Sequence, residues 1–80
     1  MANLPLMTSN AHLAPREKLV AVLYADGQTV AEISSQTGNT VNSVRSVIRD
    51  IRHRYRAKGR PTPTKLALRS RLIEDGHLHP

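Results

Sequence analysis

Residues 41–57 carry two stripes of different chemistry on what the spacing predicts to be one helix. On a helix that turns about 100° per residue, side chains three and four residues apart share a face. One face is cationic and forms an arginine stripe of Arg45, Arg49, Arg52 and Arg56. The neighbouring face is apolar and consists of Val41, Val44, Val47 or Ile48, Ile51 and Tyr55. We therefore expect the helix to dock one side into a core and to present the other side to an anion.

Composition restricts the core that this helix can join. Eighty residues suffice for one small domain, which buries about 60 to 65% of its unfolded surface in a single core. Phe and Trp are absent, so the core must be built mainly from Leu, Ile, Val and Ala. Such a core suits short packed helices better than a β-sandwich, and we predict an all-α fold. The absence of Cys excludes disulfides, thiolate catalysis and cysteine-ligated zinc.

The net charge of +6 is concentrated in the second half of the chain. Arg16 and Lys18 are the only basic residues before Arg45, and Asp50 is the only acidic residue between Arg45 and Arg60. This asymmetry indicates a polyanionic partner, with nucleic acid favoured over an anionic membrane surface. Neither a transmembrane segment nor a signal peptide is recognisable, so we expect a cytoplasmic, nucleoid-associated protein with no membrane partner.

Caps and turn residues predict two helices in the first half of the chain. Residues 1–13 have no helical period and are expected to form a flexible N-terminal arm. The first helix is predicted over about 15–26, with Pro15 at its start and Gly27 at its end. Thr29 and Glu32 have the spacing of a capping box, which predicts a second helix over about 30–37.

A glycine separates the second helix from the cationic one. Gly38 is expected to take the left-handed conformation that ends a helix tightly. Asn39 or Thr40 then caps a third helix over about 41–57.

A basic linker precedes the fourth predicted helix. Thr62 as the cap and Pro63 as the first residue place this helix over about 63–75. We therefore expect the folded domain to span residues 14–76 and the tail, 77–80, to be frayed.

Two helices joined through a glycine turn, the second of them basic and amphipathic, have the pattern of a helix-turn-helix unit. Ile33, Val44 and Val47 are expected at its buried positions, and Ser34 supplies a small side chain where the two helices approach. Together with the arginine stripe, these features favour DNA binding over a merely solvated charged face.

Several short motifs resemble the LuxR/GerE-type helix-turn-helix domain. They are Leu13-Ala14-Pro15-Arg16-Glu17, Leu23-Tyr24-Ala25-Asp26-Gly27, Glu32-Ile33, Gly38, Ser43-Val44 and Ile51. The resemblance runs without gaps from Leu13 to about Tyr55, and sigma-factor region 4 is similar more distantly. It implies a four-helix domain whose third helix enters the major groove, often as a homodimer joined through the fourth helix. We expect a stand-alone regulator, cellular or phage-borne, without a receiver or signal-binding domain.

Four positions depart from the family pattern. Ala14 replaces a capping threonine, which should weaken the first cap by about 1 kcal/mol unless a neighbour compensates. Leu19 replaces a usual glutamate. Thr37 and Asn39 replace apolar residues that flank the turn glycine, so the packing around this turn is the least secure part of the resemblance.

Position along the third helix predicts the role of each residue on DNA. Residues near the leading end approach base edges, where arginine can pair with guanine and asparagine with adenine. The predicted base-reading residues are Asn42, Arg45, Ser46 and Arg49. The predicted phosphate contacts are Thr29, Thr40, Ser43, Arg52, Arg56, Lys58 and Arg60.

The remaining residues receive structural assignments. In the fourth helix, Leu66 and Ile73 are favoured for the core, and Leu68 and Leu72 are candidates for a dimer interface. Arg54 is expected to be only solvated. His53 lies at the edge of the arginine stripe, where it can reach a phosphate, but a surface histidine without a role is favoured.

The predicted function is that of a sequence-specific double-stranded DNA-binding transcriptional regulator, acting as a homodimer. The carboxylates are scattered and the histidines lie mostly near the chain ends, so we expect no catalysis, metal, cofactor or small-molecule ligand. The alternative is a small interaction module that binds RNA polymerase or another regulator through the basic helix and the N-terminal arm. General coating of nucleic acid is a third, less favoured interpretation.

Overall fold

The computed structural model describes residues 13–80, which form four α-helices and no β-strand. The helices are α1 (Pro15–Ala25), α2 (Val30–Thr37), α3 (Val41–Ala57) and α4 (Lys65–Glu74). The prediction of an all-α fold with four helices is confirmed. Of the N-terminal arm predicted at residues 1–13, residues 1–12 lie outside the described residues.

The core is divided into two clusters, and α1 and α3 contribute to both. The first cluster joins α1, the second half of α3 and α4, and consists of Leu13, Ala21, Ala25, Ile51, Tyr55, Leu68 and Leu72. The second joins α1, α2 and the first half of α3, and consists of Val20, Ile33, Val44 and Ile48. Since α3 packs on both clusters along one face, its opposite face is left toward solvent.

Capping hydrogen bonds fix the beginning of three helices. Thr29 Oγ1 accepts a hydrogen bond from the Glu32 amide at 3.1 Å, and Glu32 Oε1 accepts one from the Thr29 amide at 2.8 Å, so the predicted capping box is confirmed. Thr40, not Asn39, caps α3, because its Oγ1 accepts from the Ser43 amide at 3.1 Å. Each bond satisfies an amide that has no partner within its helix.

The turn between α2 and α3 is held by polar side chains where the family pattern has apolar ones. Gly38 adopts the predicted left-handed conformation, with φ of 76°. Thr37 Oγ1 donates to the Ile33 carbonyl at 2.7 Å and accepts from Asn39 Nδ2 at 2.9 Å. Ser34 Oγ donates to the Asn39 carbonyl at 2.6 Å. Hydrogen bonds therefore fix this turn, in addition to the apolar packing of Ile33 with Val44 and Ile48 that joins α2 to α3.

A hydrogen bond from Arg16 to the Asn39 side chain ties this turn to the first turn of α1. Because Asn39 also hydrogen-bonds Thr37, the turn is linked to the start of α1 as well as to the end of α2. The two residues that depart most from the family pattern are thus part of a connected network.

The beginning of α4 differs from the prediction by two residues. Thr64, not Thr62, is the cap, and its Oγ1 accepts from the Ala67 amide at 3.0 Å. Thr62 cannot cap the helix because its side chain is buried. Pro63 therefore precedes the helix and ends an irregular segment, residues 60–63.

The predicted division of α4 between core and surface is wrong for three of its four large apolar residues. Leu68 and Leu72 are 1% and 0% exposed in the first cluster, so they cannot form the predicted dimer interface. Leu66, which was assigned to the core, is 72% exposed, and Ile73 is half-buried. Leu68 and Leu72 are four residues apart and share one face of α4, whereas Leu66 lies on another face.

Both predicted domain boundaries are too narrow. Leu13 was assigned to the arm, but it is buried in the first cluster. Leu78 was assigned to a frayed tail, but it packs against the same cluster, and the His77 amide donates to the Leu72 carbonyl at 2.8 Å. Among residues 13–80, every helix is too short or too polar to cross a bilayer.

We predict that Ala14→Thr stabilises the domain. Ala14 has φ of −65° and ψ of 155°, close to the −75° and 161° of the capping Thr29, and its amide already donates to Glu17 Oε1 at 3.0 Å. Only the hydroxyl half of a capping box is missing. Threonine should add about 1 kcal/mol to the free energy of unfolding measured in urea. Thr29→Ala is the reciprocal control and should lose a similar amount; equal stability of wild type and Ala14→Thr would contradict this account.

We predict that Glu32 contributes to an acid-sensitive part of the stability. The backbone and side-chain hydrogen bonds with Thr29 hold the pKa of the Glu32 carboxyl below its ordinary value of 4.5. This stabilisation is present above that value and is lost as the pH falls through the lowered pKa of the folded state. Glu32→Gln should therefore be less stable than wild type at neutral pH and should lose less stability on acidification. Urea unfolding at several pH values tests this, and parallel acid losses would contradict it.

Candidate nucleic-acid interface

The arginine stripe lies on the solvent side of α3. Val44, Ile48, Ile51 and Tyr55 are the buried residues of this helix. The stripe begins one residue after Val44 and follows the same three- and four-residue spacing, so it runs beside the buried face along most of the helix. Arg45, Arg49 and Arg56 are exposed, and Arg52 is half-buried. The predicted cationic face is thus present on the surface.

Acidic side chains elsewhere in the domain pair with other arginines. Ion pairs join Arg54 to Glu17, Arg69 to Asp26 at 3.9 Å, and Arg71 to Glu74 at 3.3 Å. Within residues 13–80, no member of the arginine stripe forms an ion pair. The positive charge of the stripe is therefore not compensated by the described part of the protein.

Arg54 was expected to be only solvated, and this is wrong. Its guanidinium pairs with the Glu17 carboxylate and so joins α3 to the first turn of α1. Arg54 is five residues after Arg49 and two after Arg52, which places it on another side of the helix, facing α1.

A groove of about 530 Å³ runs along the arginine stripe. Its lining brings α3 together with the end of α1, the start of α2 and the irregular segment before α4. The lining residues are Tyr24, Val30, Arg45, Ile48, Arg49, Arg52, His53, Arg56, Pro61, Thr62 and Pro63. All four arginines of the stripe belong to this lining, and no acidic residue does. The groove thus combines apolar lining residues with a row of arginines.

One hydrogen bond fixes the part of the groove that segment 61–63 lines. Arg52 Nε donates to the Thr62 carbonyl oxygen at 3.0 Å. This bond holds the segment between Pro61 and Pro63 alongside α3. Arg52 therefore contributes to the shape of the groove as well as to its charge.

The leading end of α3 brings together the predicted base-reading residues. Asn42, Arg45 and Arg49 are exposed and Ser46 is half-buried. Arg49 Nη2 donates to Ser46 Oγ at 3.3 Å, so these two side chains are positioned together.

The first turn of α3 can bind an anion more readily than the first turn of α2. Thr40 caps α3, and no acidic residue lies in its first turn. In α2, by contrast, the Glu32 carboxylate already accepts the Thr29 amide. Amides at a helix N-terminus attract anions, so Thr40 and Ser43 are placed to contact a phosphate. At Thr29, by contrast, the backbone amide already donates to the Glu32 carboxylate.

Arg60 was predicted to contact phosphate, but it is held inside the protein. Its side chain is 13% exposed, and its Nη2 and Nη1 donate to Asp75 Oδ1 and Oδ2 at 2.7 and 3.0 Å. It also donates to Glu74 at 2.9 Å and lies 5.2 Å from the centre of the Tyr55 ring. The prediction is therefore wrong for Arg60, since both terminal nitrogens of its guanidinium already donate to carboxylates within the protein. Lys58, two residues earlier, is exposed.

The Asp75 carboxylate is the centre of this internal network. Its side chain is 0% exposed, and it accepts a hydrogen bond from Tyr55 Oη at 2.8 Å in addition to the pair from Arg60. Burial and the hydrogen bond to Asp75 raise the pKa of the Tyr55 hydroxyl, and the hydrogen bond to Asp75 raises the pKa of Arg60. The network ties the end of α4 to the end of α3.

The groove residues outside α3 were not predicted as site residues: Tyr24, Val30 and the segment 61–63. They lie in other helices or in an irregular segment, so the helical periodicity of α3 carries no information about them. A second ring contact fixes one of them, because Lys65 Nζ lies 4.4 Å from the centre of the Tyr24 ring. Within the described residues, no group of three His, Asp or Glu side chains is placed to hold a metal ion.

Comparison with known proteins finds no relative for this chain: no protein-family model, no curated protein and no solved structure matches it. The resemblance to the LuxR/GerE-type domain therefore rests on the motifs quoted above and stays a prediction.

We predict that Arg60 and Lys58, both assigned to phosphate from the sequence, differ sharply in their effect on stability. Arg60→Gln leaves the buried Asp75 carboxylate without its charged partner and should reduce the free energy of unfolding by about 3 kcal/mol. Lys58→Gln removes the same charge from an exposed position and should change it by less than about 0.5 kcal/mol. Urea unfolding of the two variants measures both values. Similar stability of the two variants would contradict the internal role of Arg60.

Proposed function

We propose that the protein is a sequence-specific double-stranded DNA-binding regulator in which α2 and α3 form a helix-turn-helix unit of the LuxR/GerE type. The observation that carries this proposal is the charge arrangement on α3. Four arginines share its solvent side without an ion pair from residues 13–80, while arginines on other faces pair with carboxylates. A concentrated and uncompensated positive surface attracts a polyanion.

The dimensions of α3 favour duplex DNA among polyanions. Its 17 residues extend for about 25 Å, and the arginine stripe covers roughly 16 Å of that length. The major groove of B-DNA, about 12 Å wide, admits one α-helix. A short turn at Gly38, with hydrogen bonds made by Thr37 and Asn39, joins α2 to α3, and a short connection of this kind supports the assignment of a helix-turn-helix unit.

We assign base reading to the leading end of α3 and phosphate contacts to its flanks. Asn42, Arg45, Ser46 and Arg49 take the first role because they lie within the first turns of the helix. Arg52, Arg56, Lys58, Thr40 and Ser43 take the second role. Arg60 is removed from the set because it pairs with Asp75 and Glu74, and Thr29 because its amide already donates to the Glu32 carboxylate.

Homodimer formation through α4 stays part of the proposal, with a different contact residue. Leu68 and Leu72 lie in the core, whereas Leu66 on the same helix is 72% exposed. A contact through α4 would therefore use Leu66 in place of the two predicted leucines.

The competing hypothesis is a protein-interaction module that uses the same basic helix on an acidic protein surface. The two hypotheses differ in what the leading end of α3 does. A DNA reader needs Arg49 for discrimination between sequences, whereas an interaction module needs only its charge.

We predict that Arg49→Ala and Lys58→Ala weaken DNA binding in different ways. A duplex selected from random DNA by the wild-type protein serves as the specific site, and a scrambled duplex as the non-specific one. Arg49→Ala should lose about tenfold in preference for the selected site, since one base contact is worth about 1 to 3 kcal/mol. Lys58→Ala should weaken both complexes equally and leave the preference unchanged.

Fluorescence anisotropy at several salt concentrations measures these affinities, and wild-type affinity should fall steeply as salt rises. Circular dichroism and urea unfolding verify that both variants remain folded. Equal loss of preference in the two variants would refute the base-reading role of Arg49. Failure of the wild-type protein to select or bind any duplex would refute the proposed function and favour the interaction module.

A further inference from the structure

The groove beside the arginine stripe contains one side chain whose charge can change near neutral pH. His53 is exposed and lines this groove together with all four arginines of the stripe. An imidazole gains or loses a proton between about pH 5 and 8, whereas arginine is charged throughout the physiological range. His53 is therefore the one member of the lining whose contribution to the positive surface depends on pH near neutrality.

His53 continues the row of predicted base-reading residues along α3. Asn42, Ser46, Arg49 and His53 follow one another at intervals of four, three and four residues. Side chains at this spacing share one face of a helix. Arg56 follows three residues later, so His53 lies between a predicted base contact and a predicted phosphate contact.

The His53 side chain has no role in the fold that the structure shows. Within residues 13–80, no hydrogen bond or ion pair joins the imidazole to another residue. Exposed side chains without such contacts contribute little to stability, so replacement of His53 should leave the domain folded. Its position in the groove can therefore be tested without disturbing the core.

The charged groups of α3 that flank His53 are three arginines and one carboxylate. The arginines are Arg49, Arg52 and Arg56. The carboxylate belongs to Asp50, three residues before His53 and outside the groove lining. The other elements add no charged side chain to the lining, and Lys65 of α4 lies beyond it, against the Tyr24 ring. A bound phosphate would thus bring into this groove the negative charge that favours a protonated imidazole.

We propose that His53 contacts a backbone phosphate of DNA in its protonated form, so that DNA binding is coupled to uptake of a proton at this residue. The proposal rests on the proposed function and adds a pH dependence to it. A protonated imidazole donates from both ring nitrogens, and its hydrogen bond to phosphate is charge-assisted. Because the complex then holds more protons than the free protein, affinity should rise as the pH falls.

His53→Gln is the decisive variant because glutamine keeps a hydrogen-bond donor but cannot be protonated in this range. Wild-type affinity for the scrambled duplex should fall by about tenfold between about pH 6 and 8 at constant salt, as expected for one charge-assisted hydrogen bond. The affinity of His53→Gln should stay nearly constant. His79→Gln removes another exposed imidazole, one that does not line the groove, and is the matched control that should keep the full pH dependence. Fluorescence anisotropy measures the affinities, and circular dichroism at both pH values verifies folding.

Two further variants test the source of the proton coupling. His53→Arg carries a permanent charge and should bind at both pH values about as tightly as wild type binds at the lower one. Asp50→Asn should keep the pH dependence, because the phosphate and not Asp50 is the proposed counterion. Calorimetry in two buffers of different ionisation enthalpy should detect proton uptake on binding by wild type and His79→Gln, and none by either His53 variant.

The outcomes separate this proposal from the proposed function. Wild-type binding with a pH dependence that the two His53 variants abolish, and that both other variants retain, supports the coupling. A wild-type affinity that does not change with pH, an equal pH dependence in His53→Gln, or its loss in Asp50→Asn overturns the coupling and leaves the DNA-binding proposal intact. Absence of duplex binding by the wild-type protein at both pH values overturns both.

Discussion

Burial of one face of α3 is the constraint on which the rest of the structure depends. Val44 and Ile48 pack with α1 and α2, while Ile51 and Tyr55 pack with α1 and α4. One helix therefore connects both halves of a core that contains neither Phe nor Trp. Because this face is buried in the core, the arginines, each one position further along the helix, lie at the surface. The three- and four-residue spacing along α3 therefore determines both which side chains are buried in the core and which side of the helix is positively charged.

The arginine stripe keeps its positive charge because the acidic side chains of the domain pair with other arginines. The domain has twelve basic and six acidic side chains, and the acidic groups near arginines are used to join helices: Glu17 with Arg54, and Asp75 with Arg60. Such pairs serve the fold because each connects segments distant in sequence. What is left on α3 is a positive surface that has no ion-pair partner among residues 13–80 and that a polyanion can neutralise.

Local features were predictable from the sequence, and distant ones were not. The helical period, the capping box at Thr29 and the left-handed Gly38 depend on residues within one or two turns, and all three are present. Arg60 was misassigned because its partners, Glu74 and Asp75, lie on another helix. Thr62 was taken for a cap because Pro63 follows it at a position typical of a first helical residue, whereas the structure buries Thr62 and uses Thr64 as the cap. The groove itself is lined by α3 together with the end of α1, the start of α2 and the segment before α4, and the sequence does not show that these segments meet.

The attachment of α2 has a consequence for motion within the domain. Ile33 is the only buried residue of α2. The other contacts that hold this helix are therefore at its two ends: the capping box of Thr29 and Glu32, and the hydrogen bonds around Gly38. Regions with few buried contacts open before the rest of a protein unfolds. Because α2 buries fewer residues than any other helix, we expect it to open before the rest of the domain. Its opening would remove the support at the leading end of α3, so local order at this turn would set how often that end keeps its orientation.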